Sequence, residues 1–438
     1  MRTMHTSAQL KGWMQAVLAV LLSATLAACG GGGGDNSSSN SGSNAGGNAP
    51  VSSGSLPASP TQQPVAATAA NTVPITVNSG TSGVVNIPAV SVRICAPGST
   101  TNCQTINNIQ LDTGSFGLRV VGSALNPTLL QALTPVTANG STPLAECATF
   151  ADGFSWGAVR SATVVMGGET TTRAIPVQII GDTSAGATPA SGCGSGPAEN
   201  TVSDLGANGI LGVGTALTDC GATCSTAKTA ATFSNYFQCP GGTSCTRTTV
   251  QVAQQVANPV ANFATDNNGL IVQMPPLPNT GAPSANGTLV FGIGTQSNNA
   301  LAASQTFTTD GFGDLNNSTF NGATVQAFLD SGSNGYFFAD STLPACSSDF
   351  NGFYCPSTSQ TRSVTLVGLN KTTAAVNIGI ANAQTLFSNV NNFAFNDLAG
   401  QIGGSSSFDL GLPFFYGRHV YYGFDQTTAG GANPFVGF

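Results

Sequence analysis

The sequence predicts an all-β chain built of two related lobes, and three observations predict it. Apolar and polar residues alternate along many short segments after residue 72, Gly- and Asn-rich turns separate those segments, and one seven-residue pattern occurs once in each half. Alternation with a period of two is the signature of a half-buried strand. Val90, Val92 and Ile94 alternate with Ser91 and Arg93, and Ile109 and Leu111 open the next strand. Thr163–Met166 and Ile175–Ile180 flank Gly167-Gly168 and read as a hairpin. Asn321-Gly322, before the run Val325–Leu329, suits a tight two-residue turn. Helices are expected only at Pro127–Leu133 and over Thr249–Phe263, the latter interrupted by Pro259.

Composition narrows the function. Charged residues make up 7% of the 438 positions and the net charge is −7, so there is no basic surface for nucleic acid. Of the two histidines, His5 lies in a segment expected to be removed and His419 remains alone, which leaves no His-rich metal site. Neither a metal nor another cofactor is expected. Lys228 and Lys371 are the only lysines beyond the N-terminal segment, so lysine chemistry is unpromising.

Residues 1–28 combine Arg2 and Lys11, an apolar run from Trp13 to Leu22, and small residues before Cys29, the anatomy of a secretory signal. The run is shorter than the roughly 20 residues of a transmembrane helix. Leu26-Ala27-Ala28-Cys29 resembles the bacterial lipobox, which implies that Cys29 is lipidated and becomes the first mature residue. Gly30 beside it resembles lipoproteins sent to the outer membrane. The expected location is therefore the cell envelope, with the lipid bilayer a partner through acylated Cys29. Residues 29–72, mostly Gly, Ser, Asn, Pro, Ala and Thr, read as a flexible tether. Beyond Cys29 they hold no Lys or Arg, so no basic prosegment is available to dock on acidic groups.

Ten further cysteines, an even number in an exported chain, point to disulfides rather than to zinc. Pairing of near neighbours would join Cys95–Cys103, Cys220–Cys224, Cys239–Cys245 and Cys346–Cys355, leaving Cys147–Cys193; spacing alone does not fix this connectivity.

The repeat carries most of the functional reading. Leu111-Asp112-Thr113-Gly114-Ser115-Phe116-Gly117 and Leu329-Asp330-Ser331-Gly332-Ser333-Asn334-Gly335 agree at five of seven positions, counted along the sequence. Each is echoed later by an apolar segment with glycine, Asn208–Gly214 after the first and Phe408–Leu412 after the second. A lone Asp-Ser/Thr-Gly is an ordinary turn; two copies in matching contexts call for a common cause.

Together these motifs resemble the pepsin-like aspartic peptidases over about residues 75–438. The chain is also similar to an uncharacterised group of bacterial lipoproteins. The peptidase resemblance implies two β-barrel-like lobes, 73–286 with Asp112 and 287–438 with Asp330, and a cleft between them that takes a peptide or protein substrate. A monomer is expected. In that family each lobe donates one Asp to a pair that shares a proton and supplies both the acid and the base for hydrolysis. The resemblance makes Asp112 and Asp330 the catalytic pair. Thr113 and Ser331 would lock the loops together, and Ser115 and Ser333 would hydrogen-bond the carboxylates. Gly114 and Gly332 would turn the backbone sharply and let the loops approach. Thr149–Gly153 with the Thr163–Ile180 hairpin looks like the flap, with Phe150 as its substrate-facing residue where the family usually has tyrosine. Other departures are Arg119, where the family often has Trp and which is read as pointing to solvent, and Leu412, rather than Asp, after Leu410-Gly411. Asp409 and Asp425 read as loop carboxylates.

Three rivals remain, one of them a purely structural envelope lipoprotein. The cleft of a non-catalytic peptide or glycan binder could be lined by Trp156, Tyr336, Phe337 and Phe338, which could equally be plain core. A serine hydrolase would have His419 as its only base and lacks a Gly-x-Ser-x-Gly elbow.

Overall fold

The computed structural model describes residues 56–189, 193–347 and 350–438. The expected signal peptide 1–28, Cys29 and the first part of the tether lie outside the described residues. The rest of the tether departs from expectation, because from Leu56 onward it runs against the folded body. Gln62 N–H donates to Gly417 O (2.9 Å), Val65 N–H to Gln273 Oε1 (2.8 Å), and the Thr288 hydroxyl to Val65 O (2.6 Å). A segment too polar to form a core can still be held when its backbone groups find partners on a neighbour.

The architecture is all-β and two-lobed, as the alternation and the repeat suggested. The second lobe is a seven-stranded sheet in the order Thr373–Ile380, Gln360–Val367, Leu315–Phe320, Ala323–Asp330, Ser407–Gly411, Tyr336–Phe338 and Ala399–Gly400. Its hairpin turn is Asn321-Gly322, with φ of 50° and 79°, the left-handed pair that a tight turn of this kind requires. Phe338 and Phe408 stack at 4.8 Å between centroids and Phe320 packs edge-on at 4.9 Å, filling the lobe with rings.

In the first lobe Pro88–Cys95, Cys103–Asp112 and Phe154–Met166 pair antiparallel. The lobes share a layer drawn from three parts of the chain. Thr72–Val77 pairs with Ala285–Phe291, which pairs with Gly269–Gln273; then follow His419–Gly423, Phe435–Gly437 and Thr306–Thr308, all antiparallel. The strand Ala285–Phe291 therefore crosses the division expected at residues 286 and 287.

One apolar cluster runs through both lobes and the shared layer and contains Leu111, Leu211, Leu329 and Leu410, none more than 2% exposed. Burying each such leucine contributes about 1.5–3 kcal/mol. The motif strands are thus anchored in the common core.

The helix at Pro127–Ala132 forms, capped by the Asn126 side chain, which accepts from Leu129 N–H (2.8 Å). The one expected over Thr249–Phe263 does not. Only 3-10 turns occur there, at Val252–Gln254 and Val260–Asn262, because Pro259 removes a donor and the Asn258 side chain takes Val260 N–H instead (3.1 Å). All five disulfides pair as near-neighbour reasoning suggested: Cys95–Cys103, Cys147–Cys193, Cys220–Cys224, Cys239–Cys245 and Cys346–Cys355. Among the described residues no helix is long and apolar enough to cross a membrane.

Candidate active site

Each Asp sits at the C-terminal end of a strand whose neighbour is its echo segment. Gly209–Val213 lies parallel to Cys103–Asp112, with Gly212 opposite Asp112, and antiparallel to Phe116–Val121 on its other side. Ser407–Gly411 does the same in the second lobe, parallel to Ala323–Asp330 with Gly411 opposite Asp330, and antiparallel to Tyr336–Phe338. The chain thus leaves each Asp strand, turns, and returns with the echo strand wedged between the two arms. Glycine is required in the wedge: a Cβ on Gly212 would lie 2.6 Å from Phe116 N, and one on Gly411 would lie 2.1 Å from Gly335 O. In this arrangement Asp409 is fully buried within a strand, not in a loop as expected.

The turns fold on their own Asp side chains. Asp112 Oδ1 accepts from Gly114 N–H (2.8 Å) and Oδ2 from the Ser115 hydroxyl (2.5 Å). Asp330 Oδ1 accepts from Gly332 N–H (2.8 Å) and Oδ2 from the Ser333 hydroxyl (2.9 Å). A carboxylate bonded to the N–H two residues on is the usual Asp turn, here built twice.

Reciprocal hydroxyls join the two turns. Ser331 Oγ accepts from Thr113 N–H (3.1 Å) and donates to Leu111 O (2.9 Å). Thr113 Oγ1 accepts from Ser331 N–H (2.9 Å) and donates to Leu329 O (3.3 Å). Gln110 Nε2 adds a bond to Gly332 O (2.9 Å), and Tyr422 OH one to Leu329 O (3.0 Å). Thr113 and Ser331 are buried, so each of these bonds is isolated from competing water.

This lock brings the Asp112 and Asp330 turns face to face, each carboxylate against the glycine of the other turn. Gly114 and Gly332 serve that approach, but not through an unusual turn conformation, since neither has a positive φ. A Cβ on Gly114 would stand 2.5 Å from Asp330 Cγ, and one on Gly332 would stand 2.6 Å from Asp112 Oδ1. Each turn leaves out a methyl group where the other lobe's carboxylate sits. Burial, and then the charge of Asp330, push the Asp112 carboxyl up from 3.8 to about 8, against the opposing pull of the Ser115 and Gly114 hydrogen bonds. At neutral pH the pair therefore retains a proton, the state that holds an acid and a base side by side.

The flap-like turn is Phe150–Gly153, between the paired strands Thr142–Thr149 and Phe154–Met166. Phe150 walls a pocket with Ser115 and Phe116. The Gly167-Gly168 turn does not belong to it; it packs on Ala70, with Gly168 N–H donating to Ala70 O (2.7 Å).

Other expectations need correction. Arg119 does not reach solvent. It is 3% exposed, and its guanidinium meets Glu146 at 2.6 Å and Asp219 at 3.4 Å. A cation in a strand buried along its whole length must find a carboxylate, and few are available. Burial outweighs the pull of Arg119 and holds Glu146 well above the ordinary carboxylate range. Trp156, Tyr336, Phe337 and Phe338 are core residues, not cleft walls. The pocket aromatics are Phe116, Phe150, Phe233 and Phe312, of which sequence reasoning proposed only Phe150. Arg119 and Glu146, each alone among apolar neighbours in a strand, were the available signal for the charged wall. His419 Nε2 hydrogen-bonds the backbone carbonyl of Gln63 (2.8 Å).

A family model described as "Protein of unknown function (DUF3443)" matches residues 67–438. No curated protein matches the chain. Among solved structures the chain is similar to the crystal structure of an aspartic proteinase from Irpex lacteus, at 15% identity and a TM-score of 0.44, over 84% of this chain and 97% of that one.

Proposed function

The chain belongs to the DUF3443 family of proteins of unknown function, and we propose that it is an aspartic-type endopeptidase held at the cell envelope through a lipid on Cys29. The observation that carries the reading is the approach of two buried carboxyl groups, Asp112 and Asp330, on matching turns of two lobes, so close that a Cβ on Gly114 would stand 2.5 Å from Asp330 Cγ and one on Gly332 2.6 Å from Asp112 Oδ1. In this reading a water between them gives a proton to the ionised member and attacks the peptide carbonyl carbon. The protonated member gives its proton to the carbonyl oxygen. When the C–N bond breaks, the member now protonated gives its proton to the amine nitrogen and a hydroxyl of the tetrahedral diol gives one to the other member, which returns the pair to its single-proton state. Neither Asp is assigned as sole acid, because the two titrate as a unit.

The test is cleavage of a mixed peptide set between about pH 3 and 8 by the purified protein, with and without a hydroxyl-bearing isostere of the scissile bond. Cleavage that either Asp112→Asn or Asp330→Asn abolishes, and that falls as pH rises through about 8, supports the proposal. A rate that climbs through that range overturns it. Phe150, which has no hydroxyl to offer a transition state, favours a second reading, peptide or glycan binding without turnover. That reading requires saturable binding kept in both Asn variants. Envelope anchoring is checked by fractionation, where Cys29→Ser is expected to move the protein out of the membrane fraction.

A further inference from the structure

The pocket beside Asp112 has a chemistry of its own. Phe116, Phe150, Phe233 and Phe312 wall it, with Asp219 and Asn235 as polar members. Ser115, also in its wall, holds Asp112 by the 2.5 Å hydrogen bond. A side chain entering here therefore belongs to a residue next to the bond held at the pair. The volume, about 50 Å³, is room for a few waters or the end of one side chain.

We propose that this pocket seats a lysine or arginine side chain of the substrate, and that Asp219 selects it. The inference rests on the peptidase reading of the adjoining pair. Asp219 Oδ1 is occupied by the Tyr236 hydroxyl at 2.6 Å, whereas Oδ2 lies 3.4 Å from both Arg119 Nη2 and Asn235 Nδ2, each a long contact. A carboxylate oxygen with two long contacts keeps acceptor capacity. Arg119 lines the same pocket and already meets two carboxylates, Glu146 and Asp219. Its NH1 is committed to Phe116 O at 2.9 Å and its NH2 to Glu146 at 2.6 Å. The formal charges of Arg119, Glu146 and Asp219 leave one negative charge in excess. Burial holds Glu146 toward its protonated form, so an incoming ammonium supplies the positive charge that this proton supplies in the empty pocket. The rings suit the hydrocarbon stem of a lysine or arginine, and ring faces attract its cationic end.

The experiment measures dissociation constants by calorimetry for a series of identical peptides with a hydroxyethylene isostere at the central bond. The flanking residue is Lys, Leu, Tyr or Glu, placed on either side. Wild-type protein is expected to bind the Lys peptide at least about tenfold more tightly than the Leu peptide, and the Glu peptide most weakly. Asp219→Asn should bring Lys and Leu to parity. Because Asp219 also holds Tyr236, folding of that variant is checked by near-ultraviolet circular dichroism, and a rim variant, Thr223→Lys, provides a second reading. Thr223 lines the pocket, and the new ammonium should favour Glu over Lys. Equal or tighter binding of Leu, Tyr or Glu by the wild type overturns the proposal, as does a Lys preference that survives in both variants. Cleavage without basic preference would sink this inference and leave the peptidase standing. Lys-selective binding without cleavage would do the reverse, and no binding at all would remove both.

Discussion

Asp112 makes the stability of the whole fold depend on pH, in a direction opposite to that of an ordinary salt-bridged carboxylate. Its carboxyl titrates at about 8 in the folded chain against 3.8 as the reference. A raised carboxyl holds its proton in the native state when the unfolded chain has already lost it. The associated stability is therefore fully present below pH 3.8 and drains away as pH rises to about 8. At 1.36 kcal/mol per pH unit the interval amounts to about 6 kcal/mol, comparable with the entire stability of many domains. The perturbation is Asp112→Asn, which keeps the side chain's shape and removes its titration. Urea unfolding at intervals between pH 4 and 8 is the assay, read as the difference between wild type and variant. Buried Asp397, raised to about 7, and Glu146 contribute slopes of the same sign to both proteins and cancel in that difference. With a urea slope of about 3 kcal/mol per M, the wild-type midpoint should fall relative to the variant by more than about 1 M over this range. Asp330→Asn separates the causes, because Asp112 then keeps its burial and loses its neighbour's charge. That variant should retain part of the slope, moved to lower pH. Parallel midpoints for wild type and Asp112→Asn across the range would refute the reasoning.

Three further outcomes follow from the same geometry. Thr113→Val removes the hydroxyl that accepts from Ser331 N–H and donates to Leu329 O; it should cost about 1–3 kcal/mol in urea unfolding and lower turnover more than substrate affinity. Gly114→Ala places a methyl where Asp330 stands, and an Asp displaced by about 1 Å should reduce kcat/KM about 100-fold while the far-ultraviolet spectrum stays native. Arg119→Leu leaves Glu146 and Asp219 buried without their cation. It should destabilise by about 3–5 kcal/mol, and the same unfolding assay checks it.

How much of this was legible in the letters can be judged residue by residue. Alternation placed Pro88–Cys95, since a strand with one buried face must repeat every two residues, but caught only the end of Cys103–Asp112, which it had opening at Ile109. The doubled Asp-Ser/Thr-Gly turns and their glycine echoes were visible because each of their residue types answers a local demand: an oxygen for the turn, a hydroxyl for the lock, no Cβ in the wedge. The helix expected at Thr249–Phe263 failed because Asn258 and Pro259 divert the backbone, an effect that periodicity does not register.

By itself, then, the amino-acid order determined the strand content and the matching halves, which depend on interactions close along the chain; it suggested the disulfide pairs without fixing them. Only the tertiary structure decided that Asp112 meets Asp330, that Arg119 lies buried between Glu146 and Asp219, and that four phenylalanines surround a carboxylate beside the pair. Those are contacts between residues tens to hundreds of positions apart. Whether a charge finds water or a partner, and whether a ring fills a core or walls a pocket, is fixed by what the rest of the fold brings against it.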